Sequence, residues 1–311
     1  MNNLKMSIII PTMNRPNSLF NTLKFIKKSN YKPNEIIIVD QSNNLEDQKK
    51  IKDIIKIIEL NIVYIYLKEQ SLTKARNIGI QNASNEIIIF MDDDIEFNKY
   101  LLEKIDYVMK NKEIAMIGGI DELSSTSKSK LGYLFARKSF FKRKKGHVVK
   151  SIFGRYPDNL NDITETEWAM GYFFIVRKSL INKYNLRFDE NLISYAYPED
   201  LDFTYSYYKY AYNEGLKCIL HPQIYVKHLC SKEFRVTSFK ATYMYVINRE
   251  YLSYKHFKSP ISRLLIRWAN FWEFIRRLKI NDNPMDILKA EYYCFKYRKD
   301  IKKGILHYEI I

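Results

Sequence analysis

Three consecutive carboxylates, Asp92, Asp93 and Asp94, follow directly on the apolar run Ile87-Ile88-Ile89-Phe90-Met91. A continuous apolar run ended by a charge cluster reads as a strand buried on both faces. Its acids then emerge at the carboxyl end, where open α/β sheets bind their ligands. Adjacent like charges repel, so a fold tolerates the triplet best when a cation or basic partner offsets it. Side chains two apart on an extended segment point the same way. Asp92 and Asp94 could therefore converge on one hard divalent cation. The competing reading is a solvated acidic turn. A second acidic feature is Pro198-Glu199-Asp200, which opens a predicted helix running to about Asn213, with Gly215 as its terminator. Both acids fall in its first turn, where the helix dipole favours negative charge.

The surrounding pattern supplies the elements that would hold these acids. Met6 to Thr12 reads as a buried first strand, followed by a helix capped by Asn17 or Ser18 with Leu19, Leu23 and Ile26 inward. Glu35 to Asp40 repeats the design, a β-branched run ending in a carboxylate. A basic helix (Leu45 to Leu60), a strand (Ile62 to Leu67) and a helix (Ser71 to Ala83) lead to the acidic strand. A helix from about Lys99 to Met109 and a strand from Ile114 to Ile120 come next. This alternation predicts a mostly parallel sheet covered on both faces.

After Asp121 the rhythm breaks. Ser124 to Lys130 is polar, and Lys138 to Lys150 carries six Lys/Arg around Phe140 and Phe141. That stretch reads as a loop, either solvated or touching an anionic acceptor or membrane. Trp168-Ala169-Met170-Gly171 precedes a strand from Tyr172 to Val176. Cys218 to Leu220 and Ile224 to Lys227 read as two short strands flanking His221-Pro222. From about Phe239 the chain is helical. Ile261, Leu264, Leu265, Trp268, Phe271, Trp272 and Ile275 form an apolar stripe, with Arg263, Arg267 and Arg277 off it. Lys255 to Ile280 holds seven Lys/Arg against one acid, Glu273. Such a stripe commonly packs against the rest of the chain; a basic one with tryptophans can instead lie in a bilayer interface.

At 311 residues the chain can build one large domain, or a domain with an appendage. A formal charge of +16 favours an anionic partner such as a nucleotide, nucleic acid or acidic membrane face. Cys218, Cys230 and Cys294 are odd in number and form no CxxC pair, which argues against a thiolate zinc site or a disulfide framework. A reducing, cytosolic setting is the expectation. The start of the sequence lacks the pattern of a signal peptide, and no apolar run reaches the roughly 18 residues of a spanning helix.

With Arg76-Asn77 between the strands, the ordered set resembles a GT-A glycosyltransferase, and more narrowly glycosyltransferase family 2. The residues carrying the likeness are Ser7 to Arg15, Ile37 to Ser42, Ala75 to Gly79 and Phe90 to Asp94, most of the first 100 residues. Glu199-Asp200 and a later histidine extend it to about residue 230. The resemblance implies a Rossmann-like, mostly parallel sheet flanked by helices, here with a C-terminal helical extension. It divides the chain into a catalytic domain, 1–235, and a basic, aromatic helical region, 236–311. Within the former, 1–121 would bind the nucleotide sugar and 122–235 the acceptor.

The activity implied is inverting transfer of a sugar from a nucleoside diphosphate sugar, with Mn2+ or Mg2+, to a hydroxyl of a surface polysaccharide or glycolipid precursor. Asp94 matches the metal-binding acid, and Asp92 would touch the ribose or the metal shell beside Asp93. His228 resembles the histidine completing the metal site, with His221 as competitor. Asp40 matches the carboxylate that binds the base, with Pro11 and Thr12 beside it. Arg76 and Asn77 would face the donor, although a surface arginine paired to Asp40 is the plainer alternative. Asp200 matches the catalytic base, with Glu199 assisting or binding acceptor. Gly171 would let the backbone approach closely under the sugars. Gln41 departs from the pattern, standing where many relatives carry a second acid.

Two other classes compete with this reading. A sugar nucleotidyltransferase should show a glycine-rich phosphate loop after the first strand, and Pro11 to Asn17 contains no glycine. A basic nucleic-acid or membrane-surface module would spread its charge over an aromatic-studded face, and no RNA-binding motif is present. The partners expected are therefore a nucleotide sugar, a carbohydrate or lipid-linked acceptor and an anionic membrane surface, with no nucleic acid. The expected location is cytoplasmic, peripheral on the inner face of the cell membrane.

Overall fold

The computed structural model describes residues 3–122, 132, 134–139, 144–158, 160–193, 196–230 and 238–308. The chain opens with β1 (Met6–Thr12), α1 (Pro16–Lys28), β2 (Glu35–Asp40), α2 (Leu45–Ile58), β3 (Ile62–Tyr66), α3 (Leu72–Asn82) and β4 (Ile87–Met91). β5 (Ile95–Glu96), α4 (Leu101–Met109) and β6 (Ile114–Asp121) follow. Next come β7 (His147–Val149), β8 (Phe153–Arg155), β9 (Thr164–Glu165), β10 (Phe173–Arg177), α5 (Lys178–Lys183), α6 (Glu199–Asn213) and β11 (Lys217–His228). The helices α7 (Ser238–His256), α8 (Pro260–Ile280), α9 (Met285–Lys296) and α10 (Arg298–Lys302) complete it.

The isoleucine runs build the sheet because alternate side chains face opposite layers. Ile8, Ile10, Ile36, Ile38, Ile87 and Ile89 meet Leu19, Leu23 and Ile26 of α1, Ile51 of α2 and Ile105 of α4. Ile9, Ile37, Val39, Ile88 and Phe90 meet Ala75 of α3, Ile181 of α5 and Phe203 of α6. Each such side chain fully buried stabilises the fold by about 1.5–3 kcal/mol, so these residues hold the strand ends in place.

The main sheet runs β3-β2-β1-β4-β10-β6-β11-β5, with β9 on β11. β1 is parallel to β2 and β4, and β6 to β11, while β10 runs antiparallel between β4 and β6. The parallel strands therefore all end on one edge, and β10 begins there. Thr12, Asp40, Asp92, Asp121 and His228 share that edge with Gly171.

Several local expectations are corrected. α1 begins at Pro16 with Arg15 in the cap position, so neither Asn17 nor Ser18 caps it. Proline suits the first helical position because its missing N–H would be unbonded there anyway. The two strands expected around His221-Pro222 are one, β11, which absorbs a register shift between Leu220 and Tyr225. Part of the basic stretch after Arg137 forms a hairpin of β7 and β8. Ser124 to Lys130, Phe140 and Phe141 lie outside the described residues.

The largest correction concerns α8. Its buried face consists of Ser262, Ile266, Ala269, Asn270 and Glu273. The expected stripe is split: Ile261, Leu264, Trp268 and Phe271 are exposed at 55%, 65%, 47% and 49%, whereas Leu265 packs by Ala136 and Phe153 and Trp272 packs on Phe135. The reason lies in α7, which buries Arg249 and Glu250 against this helix. Arg249 donates to Asn270 Oδ1 at 2.9 Å and to the Ser151 carbonyl at 2.7 Å. Buried charge demands polar partners, and that demand outweighs the apolar pattern of α8.

Candidate active site

β4 ends at Met91, and Asp92 to Asp94 occupy a turn leading to β5 rather than a continued strand. Thr22 on α1 pins this turn, donating to the Asp93 carbonyl at 2.8 Å and accepting from the Ile95 N–H at 3.0 Å. The turn splits the triplet. Asp92 and Asp94 meet His228, and their ligand atoms all lie within 4.8 Å of one another. Asp93 points the other way and accepts from Thr12 Oγ1 at 2.7 Å and Arg15 Nη1 at 3.1 Å. Burial pushes its pKa up to about 7, against the pull of Arg15 and Thr12.

His228 Nε2 lies 3.2 Å from Asp94 Oδ1, and its ring stacks on Tyr172 at 5.0 Å. Its backbone N–H donates to Asp121 at 3.2 Å. Burial opposes its charge, but Asp94 and Asp92 outweigh that and raise its pKa. Two carboxylates and one imidazole form an oxygen-rich donor set that could hold a divalent cation. His221 takes no part in this cluster; its Nδ1 accepts from the Gln223 N–H at 3.2 Å within β11.

Arg76 joins the two acidic features. It projects from α3 and is only 2% exposed. Nη1 donates to Glu199 Oε1 at 2.7 Å, while Nη2 donates to the Gly171 carbonyl at 2.9 Å and Asp92 Oδ1 at 3.3 Å. The pairing with Asp40 is thereby replaced, and one buried guanidinium joins the acid turn to the start of α6. Pro198 takes the cap position of α6, and Glu199 is its first helical residue. Burial pushes Glu199 up to about 7, and neighbouring Asp200 adds to the rise. Asp200 accepts from the Gly171 N–H at 2.8 Å and from the Leu201 N–H at 2.7 Å. Burial raises its pKa also, only partly offset by those N–H groups and Arg76. A Cβ on Gly171 would stand 2.9 Å from Asp200 Cβ and 3.3 Å from Arg76 Nη2, so only glycine fits without displacing both.

Replacing Arg76 removes the cation common to three carboxylates. Arg76→Gln is expected to lower the unfolding free energy by about 3–5 kcal/mol, as for other broken buried pairs. Denaturant unfolding reads this as a reduced midpoint at unchanged slope.

Asp40 is fully buried at the end of β2, accepting from the Ser42 N–H at 2.9 Å and Tyr64 hydroxyl at 2.8 Å. Pro11 and Thr12 lie beside it, in register with Val39 and Asp40. Gln41 accepts from the Ser71 N–H at 2.6 Å and so ties β2 to α3. Asn77, expected to face the donor, turns away. Its amide donates to the Phe188 carbonyl at 3.0 Å and Glu190 at 2.8 Å, stapling that loop to α3. Arg15, Tyr172 and Asp121 were not singled out from residue type, because only the sheet order brings them to the acids. Behind α6, Asp202 accepts from His256 at 2.7 Å and Lys255 at 2.8 Å, so α7 braces the helix that carries Asp200.

The sheet order, the helices on both faces and the Asp–Asp–His cluster at one edge define a GT-A-like α/β architecture. Residues 7–184 match the model of glycosyl transferase family 2, more than half of the 311-residue chain, and the chain belongs to that family. It is 26% identical over 193 residues to a GalNAc(5)-diNAcBac-PP-undecaprenol beta-1,3-glucosyltransferase of Campylobacter jejuni, covering 60% of this chain and 55% of the relative. It is 25% identical over 208 residues to a teichoic acid poly(glycerol phosphate) polymerase of Staphylococcus epidermidis, covering 66% of this chain and 26% of the relative. The chain thus spans about half, or less, of these relatives. Among solved structures, a Pyrobaculum calidifontis mannosyltransferase in complex with GDP-Man and Mn2+ is similar at TM-score 0.58 and 11% identity, over 98% of this chain and 86% of that one. S. aureus TarS 1–349 in complex with UDP-GlcNAc is similar at TM-score 0.56 and 16% identity, over 97% and 90%. These likenesses establish the fold.

Proposed function

We propose that the protein is an inverting, divalent-metal-dependent glycosyltransferase that takes a nucleoside diphosphate sugar, UDP-linked by preference. The observation that carries this reading is the Arg76 bridge, which holds Asp92 and Glu199 on one buried guanidinium. In this reading Asp40, Pro11 and Thr12 hold the nucleobase at the edge of β1 and β2. Asp92, Asp94 and His228 hold Mn2+ or Mg2+, which supplies Lewis-acid stabilisation of the diphosphate leaving group. Asp93 keeps Arg15 beside that group. Arg76 fixes the positions of Asp92 and Glu199, so both survive the approach of an anionic donor.

Asp200 takes the proton of the acceptor hydroxyl as its oxygen attacks the anomeric carbon. The Gly171 N–H fixes the orientation of that carboxylate. Displacement in line with one base inverts the anomeric centre. Glu199 orients Arg76 and sets the charge felt by Asp200. The base must be ionised, so the raised pKa values move the acid limb of the rate profile towards neutrality. Glu199→Gln removes the neighbouring negative charge and is expected to shift that limb to lower pH, measured as kcat/KM against pH.

The division into catalytic and helical parts near residue 235 is part of the same reading. A carbohydrate or lipid-linked acceptor is its other substrate. Net charge of +16 and the outward apolar face of α8 support contact with an anionic membrane surface, on its cytoplasmic side. Among the described residues no helix is long and apolar enough to cross a membrane. Incubation with a panel of nucleoside diphosphate sugars and Mn2+ tests the proposal. Release of nucleoside diphosphate that EDTA abolishes supports it; salt-sensitive polynucleotide binding without any turnover would favour the binding-module alternative.

A further inference from the structure

A cavity of about 730 Å³ lies between the β7–β8 hairpin and α8, within the range of small-molecule sites. Arg137 and Arg155 line it opposite α8, which contributes Arg276 and Lys279 beside the apolar Trp272 and Ile275, and Lys138 and Asp158, 3.8 Å apart, also line it. Asp121 and Met170 also line it, which sets it beside the candidate active site. Asp121 accepts from the His228 N–H at 3.2 Å, and Met170 directly precedes the glycine that holds Asp200.

The cations exceed their partners. Arg137 and Arg276 share Glu273, each at 2.6 Å. Arg155, half-buried, has no carboxylate within 4.0 Å among the described residues, and its donors go to the carbonyls of Arg137 and Gly154. It instead crowds with Arg137 and Arg249 around the Phe153 ring, at 5.2, 5.7 and 4.0 Å from its centroid. Lys279 likewise has no ion-pair partner among the described residues. Proteins pair buried charge, and an excess of guanidinium around a cavity is the usual means of holding phosphate.

The lining residues Ile275 and Lys279 belong to the same helix, α8, as the exposed Trp268 and Phe271. Trp268, Phe271, Ile275 and Lys279 follow one another at helical spacing, so the apolar stripe runs into the basic pocket. We propose that this cavity binds the diphosphate of a lipid-linked acceptor, whose hydrocarbon lies along the α8 stripe and whose accepting sugar points past Met170 to Asp200. This rests on the transferase reading and adds the acceptor class and its site. Burial, with Arg137 and Arg249 alongside, already depresses the Arg155 pKa, and a bound diphosphate would relieve that repulsion. Because the pocket adjoins the base, the accepting sugar must lie close to the diphosphate. The reaction that supplies this substrate is then a transfer of a sugar phosphate from a nucleoside diphosphate sugar onto a lipid phosphate, which forms the diphosphate and releases a nucleoside monophosphate.

The test is calorimetric titration of the full chain in EDTA with farnesyl diphosphate, farnesol and inorganic pyrophosphate. Farnesyl diphosphate is expected to bind more tightly than either of the others, and Arg155→Gln to weaken it roughly tenfold or more, the size of one lost charge-assisted contact. Lys279→Gln, at an exposed position, should weaken it in the same direction if Arg155→Gln does not fold. Equal binding of pyrophosphate would overturn the lipid assignment. Unchanged affinity in a folded variant, or displacement by UDP with Mn2+, would overturn the site. Nucleotide-sugar binding, measured on the same wild-type protein, keeps the two readings apart. Its loss contradicts the transferase, whereas its presence without a farnesyl diphosphate response contradicts this inference alone.

Discussion

Asp200→Asn is expected to leave nucleoside diphosphate sugar binding intact while lowering the rate of transfer by about 10²–10⁴-fold, the usual contribution of a positioned general base. The amide is nearly the same size, but its single oxygen can accept from only one of the Gly171 and Leu201 N–H groups that the two carboxylate oxygens now hold, so the denaturant midpoint of the variant is read alongside its donor binding. The amide cannot take a proton at neutral pH. The affected quantity is therefore kcat, read by product formation, while the donor dissociation constant is read by calorimetry. Retained turnover would move the base elsewhere, with Glu199 the next carboxylate in the cleft.

Asp94→Ala is the second large effect. Asp94 is buried, within the 4.8 Å cluster of ligand atoms shared with Asp92 and His228. In the proposed assignment the substitution removes one of three protein ligands, and the diphosphate of the nucleotide would lose the charge that offsets it. Donor affinity in Mn2+ should fall to the level seen in EDTA, and wild type and variant should be indistinguishable once metal is chelated. A variant that keeps metal-dependent donor affinity would take Asp94 out of this role. His221→Ala, by contrast, should not change metal dependence, because that ring lies on β11 away from both acids.

Much of this arrangement is legible in residue order. Runs such as Ile36 to Val39 and Ile87 to Met91 admit little but doubly buried strands, and each hands its next residue to the same sheet edge. The acids are visible for that reason. How the triplet divides is not visible, because it depends on a turn that sends Asp93 to Thr12 and Arg15, far away in sequence. Asn77 looked like a site residue beside Arg76, yet neighbours on a helix point in different directions, and it reaches Phe188 instead.

The α8 stripe shows the opposite failure. Its amphipathic pattern is present, but which residues turn inward depends on the buried Arg249 of α7, which donates to Asn270 and the Ser151 carbonyl. A hydrophobic pattern alone cannot register the needs of a polar residue on another helix.

The most direct test of the account is the anomalous density of Mn2+ in crystals grown with UDP. The expected peak lies among Asp92, Asp94 and His228, with the diphosphate in the cleft that Arg76 spans towards Asp200. A nucleotide bound on another surface, or Mn2+ held without contact to this trio, would contradict the proposition that both acidic groups serve one sugar donor.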